Sequence, residues 1–549
     1  MTTVHGDNWV FDFETNNDAA RCSVWAWAAC DVENPDEVEI GNRIETFMSF
    51  AFDHGGTFYA HNARFDFDFI ANWLFRSGFV CDDSTRPGTF SLLMSDTGKF
   101  YCARLYPFRG YTVEIRDSYK KLTASVRDIA RMYNLDESKG EIDYNAYHEP
   151  GTMLTVNEAE YVRNDVVIVA RALKAQFDEE MFSLTAGADA LKRAKRLVGR
   201  KNWKKYFPVL DLETDATIRK AYRGGWTYAS DYGKGVHGRG ISLDVNSMYP
   251  SCMKMPLPVG RPHRHEGRYT GNRLYIARLI VTARLKPGHL PCLQIKKSLW
   301  FGEHEYVRVI DEPTEIYCTN VDLELLFAQY DVKVYQWVEA MSFDQCTGIF
   351  DEYIDTFMEI KANSTGAARS IAKLFLNSLY GKLATNPIVR GKTCYLDDGG
   401  VVRYVNTDAE ERNPVYTAAA AFVTSYARRL IVTSAQRCGQ RFLYADTDSL
   451  KLEGTEVPGG LDIDKARLGA WKHEGEFERI KIIGAKCYMV DWGEKGTEVR
   501  CAGLDQRARG NIAFDEFAVG LVVPGGKLTP KHVPGGTVLV ESDFTIKER

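Results

Sequence analysis

Residues 9–15, Trp-Val-Phe-Asp-Phe-Glu-Thr, alternate apolar and acidic side chains, and their reading decides the N-terminal fold. On a strand, positions i and i+2 project from one face, so Asp12 and Glu14 stand together while Phe11 and Phe13 pack behind. Like charges at that spacing repel unless a cation lies between them, and a divalent metal is the usual solution.

Two further acids extend this set. Asp66 closes the segment His61-Asn62-Ala63-Arg64-Phe65-Asp66, and Asp165 follows Tyr161 by four residues in a stretch of helical periodicity, residues 155–177. That helix is expected to open at a Thr155 or Asn157 cap, with Glu158 in its first turn. Four acids from three separated elements, with a tyrosine beside the last, suit two metals and a water held for in-line phosphoryl displacement. Each fragment alone is common on surfaces; the ordered combination is what carries the signal.

A second set lies downstream. Asp244 ends an apolar strand in Leu-Asp-Val-Asn-Ser-Met-Tyr-Pro (residues 243–250), and Asp446 and Asp448 flank Thr447 in a hairpin pattern. Between them, Lys373, Asn377 and Tyr380 fall at offsets of four and seven, on one face of a predicted helix. A cation, an amide and a ring on that face suit a triphosphate and a base pair.

Composition bounds the rest. The chain has 549 residues, 45% of them hydrophobic and 26% charged, too many for one ordinary core. No uncharged apolar run approaches the ~18 residues that span a bilayer, and the N-terminus lacks signal-peptide character, so a cytoplasmic chain is expected. The twelve cysteines are scattered, which points to reduced thiols. Net charge is −5, yet Lys192–Lys205 holds eight basic residues and Lys361–Lys392 six, neither with an acid, as phosphate tracking would require.

The first acid set resembles the three exonuclease motifs of proofreading domains with the ribonuclease-H-like fold. The resemblance implies that Asp12, Glu14, Asp66 and Asp165 bind metal and Tyr161 positions the nucleophile. Thr15, Asn62, Phe65, Ser118 and Lys139 then contact a single-stranded 3′ end, with Tyr59 and His61 as additions. Phe65 reads equally well as core.

The second set, with Lys486-Cys487-Tyr488 downstream, resembles family B DNA polymerases. In that family the corresponding acids hold two metals, which implies Asp244, Asp448 and Asp446 as ligands, joined by the Val245 carbonyl. Lys361 and Lys373 would hold phosphates, and Tyr249 would stand under the sugar as a steric gate. Asn377 and Tyr380 would face the nucleotide, and Lys486 and Tyr488 would steady the primer terminus.

Two insertions, the hinge Tyr222-Arg223-Gly224-Gly225, the pair Thr424 and Arg428, and the segment containing Asp322 resemble the protein-primed phage branch, the phi-twenty-nine-like group. The implied fold is α/β and α+β multidomain: an N-terminal ribonuclease-H-like exonuclease domain (1–185), then a right-hand polymerase domain. Its parts are palm (186–255 and 417–502), fingers (349–384) and thumb (503–549), with insertions at 256–348 and 385–416 that resemble terminal-protein regions 1 and 2. Tyr222, Gly224, Gly225, Thr424 and Arg428 are expected at DNA.

The implied activity is DNA-directed synthesis with 3′→5′ proofreading, primed by a terminal protein and displacing a strand. Implied cofactors are two Mg2+ per site, with Mn2+ an alternative. Implied partners are primer-template DNA, deoxynucleoside triphosphates, the terminal protein and a single-stranded DNA-binding protein, around a monomer in the host cytoplasm. Two other readings stay open here: a family B polymerase using only nucleic-acid primers, and a nuclease or DNA-binding replication factor that does not polymerise.

Overall fold

Strand Asn8–Thr15 (β1) carries Asp12 and Glu14 into the middle of an eight-stranded sheet. The computed structural model describes residues 7–138, 140, 142, 146–295, 302 and 305–548. Beside β1 on one side run β2 (Val24–Asp31) and β3 (Val38–Gly41), antiparallel; Asp12 pairs with Ala28 and Glu14 with Ala26. Helix α1 (Ile44–His54) crosses to β4 (Gly56–Ala60), which lies parallel to β1, and α2 (Arg64–Arg76) begins just beyond it. Strands β5 (Val80–Cys81), β6 (Thr89–Met94), β7 (Phe100–Tyr106) and β8 (Val113–Asp117) complete the order β3-β2-β1-β4-β8-β7-β6-β5.

Helices α3 (Val126–Tyr133) and α4 (Val156–Asp178) cover one face. Of the two caps expected for α4, Thr155 is the one used, and it forms a reciprocal capping box with Glu158. The other face packs Phe11, Phe13, Phe47, Phe58 and Phe67, so the phenylalanines that alternate with the acids of β1 lie in a core.

The basic tract forms α5 (Ala186–Val198) and α6 (Arg200–Tyr206), followed by α7 (Leu212–Ala221). Strands β9 (Thr227–Ala229), β10 (Gly235–His237) and β11 (Gly240–Val245) lead to α8 (Met248–Met253). Residues 257–346 build their own antiparallel sheet, order β12-β15-β13-β14, from β12 (Leu257–Glu266), β13 (Leu274–Leu285), β14 (Val309–Thr319) and β15 (Tyr330–Cys346), with α9 (Asn320–Gln329) packed on it.

Helices α10 (Asp351–Asn363) and α11 (Gly366–Leu383) pack on each other; the second is the helix expected around Lys373. A long two-stranded hairpin follows, β16 (Ile388–Leu396) with β17 (Val402–Glu411), inside the span 385–416 read as the second insertion. The buried helix α12 (Thr417–Arg437) then enters β18 (Phe442–Asp446) and β19 (Ser449–Glu453). With β20 (Trp471–Phe477), these close a five-stranded sheet, β20-β11-β19-β18-β9, which unites the three acids of the second set.

Strands β21 (Arg479–Gly484), β22 (Cys487–Asp491) and β23 (Thr497–Cys501) pair with β10 in a four-stranded sheet. The short α13 (Gln506–Arg509) and a terminal hairpin, β24 (Val522–Val533) with β25 (Gly536–Thr545), end the chain. Among the described residues, no helix is long and apolar enough to cross a membrane.

Candidate active sites

The first site forms where β1, α2 and α4 meet. Carboxylate oxygens of Asp12, Glu14 and Asp165 lie within 4.8 Å of one another, close enough to share a cation. Asp66, in the first turn of α2, is 3% exposed. Burial first, and then the charges of Asp12 and Asp117, push its carboxyl well above the ordinary carboxylate range. A divalent ion would relieve that crowding, so the all-oxygen donor set fits a hard cation. Tyr161 lies one helical turn before Asp165, buried, and the backbone at Gly140 passes so close that an added Cβ would sit 3.1 Å from its ring.

A cavity of about 830 Å³ opens beside these acids. Its walls include Asp12, His61, Asn62 and Asp165, and also Gln506 and Arg507 from α13. Asn62 holds a left-handed backbone (φ 65°), and the carboxylate of Asp117 fixes it: Oδ1 accepts the N–H groups of Asn62 (3.1 Å), Ala63 (3.4 Å) and Tyr119 (2.9 Å). Lys120 pairs with the other oxygen at 2.8 Å. Sequence reading missed Asp117, although its place at the end of a strand was legible; it missed Gln506 and Arg507 because nothing local connects α13 with β1.

Several residues expected at the single strand do not line open space. Tyr59 is 2% exposed, its ring against Phe177 and its hydroxyl accepting from Arg116 Nη1 at 3.1 Å. Ser118 is fully buried, 3.0 Å from His61 Nδ1, while His61 Nε2 donates to the Ala124 carbonyl at 2.8 Å. Tyr59 and Ser118 thus sit in the packed interior, Ser118 directly beneath His61. Asn62 is exposed, and Thr15 and Phe65 are half-buried; Phe65 leans on Phe69 with centroids 5.4 Å apart. Lys139 lies outside the described residues.

The second site is built on a tight turn. Thr447 adopts φ 63°, rare for a β-branched residue, and Asp448 N–H donates to the Asp446 carbonyl at 2.7 Å. Asp244 sits opposite Ser449 on β11, and Val245 N–H donates to the Asp448 carbonyl at 2.9 Å. Burial, then the charges of Asp448 and Glu474, push the Asp244 carboxyl up to about 7. Burial and Asp446 also raise Asp448. Two acids that resist sharing negative charge make a natural cation site.

Asp446 differs: it accepts from Lys486 Nζ at 2.8 Å and from Thr227 Oγ1 at 3.0 Å. Tyr488 is nine-tenths buried against Tyr444, with centroids 5.0 Å apart. Four of the six positive-φ non-glycine residues among the described residues, Asn62, Ser247, Thr447 and Lys486, stand at these two sites, where strained backbone tends to gather.

Above the acids, Tyr249 stacks on Tyr380, centroids 3.9 Å apart and planes 21° from parallel. Lys361 Nζ donates to Ser247 Oγ at 2.9 Å, and burial and the charge of Lys373 lower its pKa. Lys373 and Asn377 are exposed on the same face of α11 as Tyr380. Gly225 leaves no room for a side chain: a Cβ would lie 2.8 Å from both Thr447 Cγ2 and Tyr249 Oη.

The pair Thr424 and Arg428, expected at DNA, is instead buried in α12. Thr424 bonds its own helix, at Ala420 O and Ala421 O. Arg428 forks onto Asp322 at 2.7 Å and donates to the carbonyls of Arg223 and Gly224, each at 2.7 Å. Arg428 thus holds the Tyr222–Gly225 segment, in which Gly224 is exposed and Tyr222 and Gly225 are half-buried.

The comparisons with known proteins agree with this geometry. The family model "DNA polymerase type B, organellar and viral" matches residues 50–158 and 147–465. The DNA polymerase of Bacillus phage Nf is 40% identical, covering 98% of this chain and 99% of its own. The DNA polymerase of Bacillus phage phi29 is 37% identical over 98% of each chain, and that of Streptococcus phage Cp-1 is 32% identical over 98% of each. The solved phi29 DNA polymerase complexed with primer-template DNA and incoming nucleotides superimposes with TM-score 0.93 at 37% identity, covering 99% of this chain and all of that one. The same polymerase with single-stranded DNA gives TM-score 0.94 at 36% identity over the same extents. The acids on their two sheets, the stacked tyrosines and this end-to-end likeness agree: the chain belongs to the organellar and viral type B DNA polymerases, in the phi29-like phage group, and is a DNA polymerase.

Proposed function

We propose that this chain copies DNA at the Asp244–Asp448 site and excises mispaired 3′ ends at the site of Asp12, Glu14, Asp66 and Asp165. The observation that carries the reading is the pair of separate carboxylate clusters, each crowded enough to raise a buried acid. The oxygen-only donors suit Mg2+, with Mn2+ an acceptable substitute. Asp244 and Asp448 in one site, and Asp12, Glu14, Asp66 and Asp165 in the other, would hold the divalent cations, which would supply Lewis acidity to the attacking and leaving oxygens.

The chain's own residues do the rest. Asp244 and Asp448, with the Val245 carbonyl, hold the charge that faces the triphosphate, and Lys361 and Lys373 supply positive charge to its phosphates. Tyr249, wedged between Tyr380 and the Gly225 backbone, has no freedom to yield to a 2′ hydroxyl, which supports its role as the sugar gate. Lys486 holds Asp446 and steadies the primer end. In the excision site, Asn62 and His61 present the loop that receives an unstacked 3′ end, and Tyr161 orients the attacking water.

Residues 1–185 serve as the exonuclease domain, 186–255 and 417–502 as palm, 349–384 as fingers and 503–549 as thumb. Kinship with the phage group supports protein priming through the insertions 256–348 and 385–416. It also supports strand displacement, with the smaller insertion closing a ring around template and product, and a single-stranded DNA-binding protein as helper, in the host cytoplasm. The relatives' structures with primer-template DNA support that substrate here.

The test is extension of a singly primed circle with Mg2+. Products longer than one circle support displacement synthesis. Arrest after one lap would leave a polymerase that depends on a helicase, and would remove the displacement reading.

A further inference from the structure

Asp68 is a buried acid that neither site uses. It lies two residues after Asp66 on α2, about 200° round the helix, so the two carboxylates face opposite ways. It is 2% exposed and accepts from three directions. Tyr404 Oη of β17 donates to Oδ1 at 2.6 Å, Arg64 Nη1 donates to the same oxygen at 2.7 Å, and Thr537 Oγ1 of β25 donates to Oδ2 at 2.6 Å. His532 Nδ1 of β24 stands 3.1 Å from Oδ2, and the Arg64 guanidinium lies 3.7 Å over the Tyr404 ring. Burial alone would raise this carboxyl, but His532 and Arg64 hold it below its ordinary value.

Apart from Arg64 on the same helix, these partners come from two remote parts of the chain. The β16–β17 hairpin is rooted between α11 and α12 and lies along the first domain: Asn72 Nδ2 donates to Gly400 O at 3.0 Å, and Asp96 N–H to Arg390 O at 3.0 Å. The terminal hairpin returns to the same domain, where the Asn17 amide clasps the Leu539 backbone at 2.9 and 2.7 Å. The apolar core under α2 takes in Cys394 and Val402 from one hairpin and Val533 and Val538 from the other. The polymerase half thus sends out two arms, and both end on α2 around one carboxylate.

We infer that Asp68 is a positioning residue for processive synthesis: it locks the insertion hairpin and the thumb hairpin to the exonuclease domain, keeping the ring shut while DNA runs through it. This rests on the ring reading above. With the lock lost, single chemical steps remain normal while the enzyme leaves DNA sooner, because the arms keep only their apolar contacts and the bonds of Asn17, Asn72 and Asp96, and the half-buried Arg64 loses its carboxylate.

The experiment compares wild type, Asp68→Asn, Tyr404→Phe, Thr537→Val and Thr537→Ser on a primed circle, with excess unlabelled primer-template added as a trap at the start. The readouts are product length per binding event, single-nucleotide incorporation, and excision of a mismatched 3′ end. Asp68→Asn, Tyr404→Phe and Thr537→Val are expected to shorten products at least about tenfold (~1.4 kcal/mol of holding energy), with Thr537→Ser near wild type and both single-step rates unchanged. Tyr404→Phe removes one hydroxyl from an arm outside both sites, so it answers the question even if Asp68→Asn folds poorly. Wild-type length from Tyr404→Phe and Thr537→Val would overturn the lock alone. Short products from wild type itself would overturn the ring reading with it.

Discussion

Lys486 Nζ lies 2.8 Å from one oxygen of Asp446 and 3.1 Å from the other, so one of the three acids of the polymerase site already carries its counter-charge. Among the described residues no cation pairs with Asp244 or Asp448 at that distance, and these are the two whose carboxyls rise. Asp448→Asn and Asp244→Asn should therefore each lower incorporation by roughly 10²–10³ or more, the scale of a lost charge-stabilising group. Asp446→Asn and Lys486→Met should cost less and should not add fully when combined, because each removes the same pair. Single-turnover incorporation checks this; equal losses for all three acids would contradict it.

The Asp244 carboxyl titrates at about 7 in the folded chain and at an ordinary 3.8 when exposed. The folded state therefore binds this proton more tightly, and the stability it contributes is lost as pH climbs from about 4 through about 7. In chelator, Asp244→Asn should melt above wild type at pH 8, with the difference shrinking toward pH 5. Added Mg2+ should close the gap at pH 8, since the cation takes the proton's place. Melting curves at the two pH values decide it.

Gly225 underlies both the Thr447 turn and Tyr249. Gly225→Ala should push one or both aside, and a shift of ~1 Å at a reacting centre can cost ~10²-fold. Incorporation should fall on that scale and ribonucleotide discrimination should weaken, while excision of a frayed 3′ end stays at the wild-type rate. Parallel assays of the three activities separate this from misfolding.

Lys121 and Asp189 form an ion pair at 2.7 Å with both side chains at most 2% exposed, joining the exonuclease sheet to the basic helix α5. Burial pulls the Lys121 pKa down, and Asp189 opposes that. Asp189→Ala strands the ammonium and should destabilise by about 3–5 kcal/mol. Asp189→Leu with Lys121→Met should recover most of that loss. Denaturant titration measures both.

Much of this was legible locally. The Asp12–Glu14 alternation, the Thr155–Glu158 cap and the Asp446-Thr447-Asp448 turn are each set by neighbours within a few residues. What sequence could not show was depth. Tyr59, Ser118, Thr424 and Arg428 stand in segments the sequence singled out, but tertiary packing buries all four. Asp117 reaches the Asn62 loop, Gln506 and Arg507 reach the cavity beside the first acid set, and Asp68 meets Tyr404, His532 and Thr537, only through contacts between distant parts of the chain, which periodicity cannot report.

The most direct test of two independent metal-dependent sites is a crossed assay on one primer-template, scoring extension and 3′ trimming in wild type, Asp12→Ala and Asp448→Ala. Asp12→Ala is expected to extend normally and no longer trim, while Asp448→Ala trims normally and no longer extends. Extension surviving in Asp448→Ala, or trimming surviving in Asp12→Ala, would contradict it.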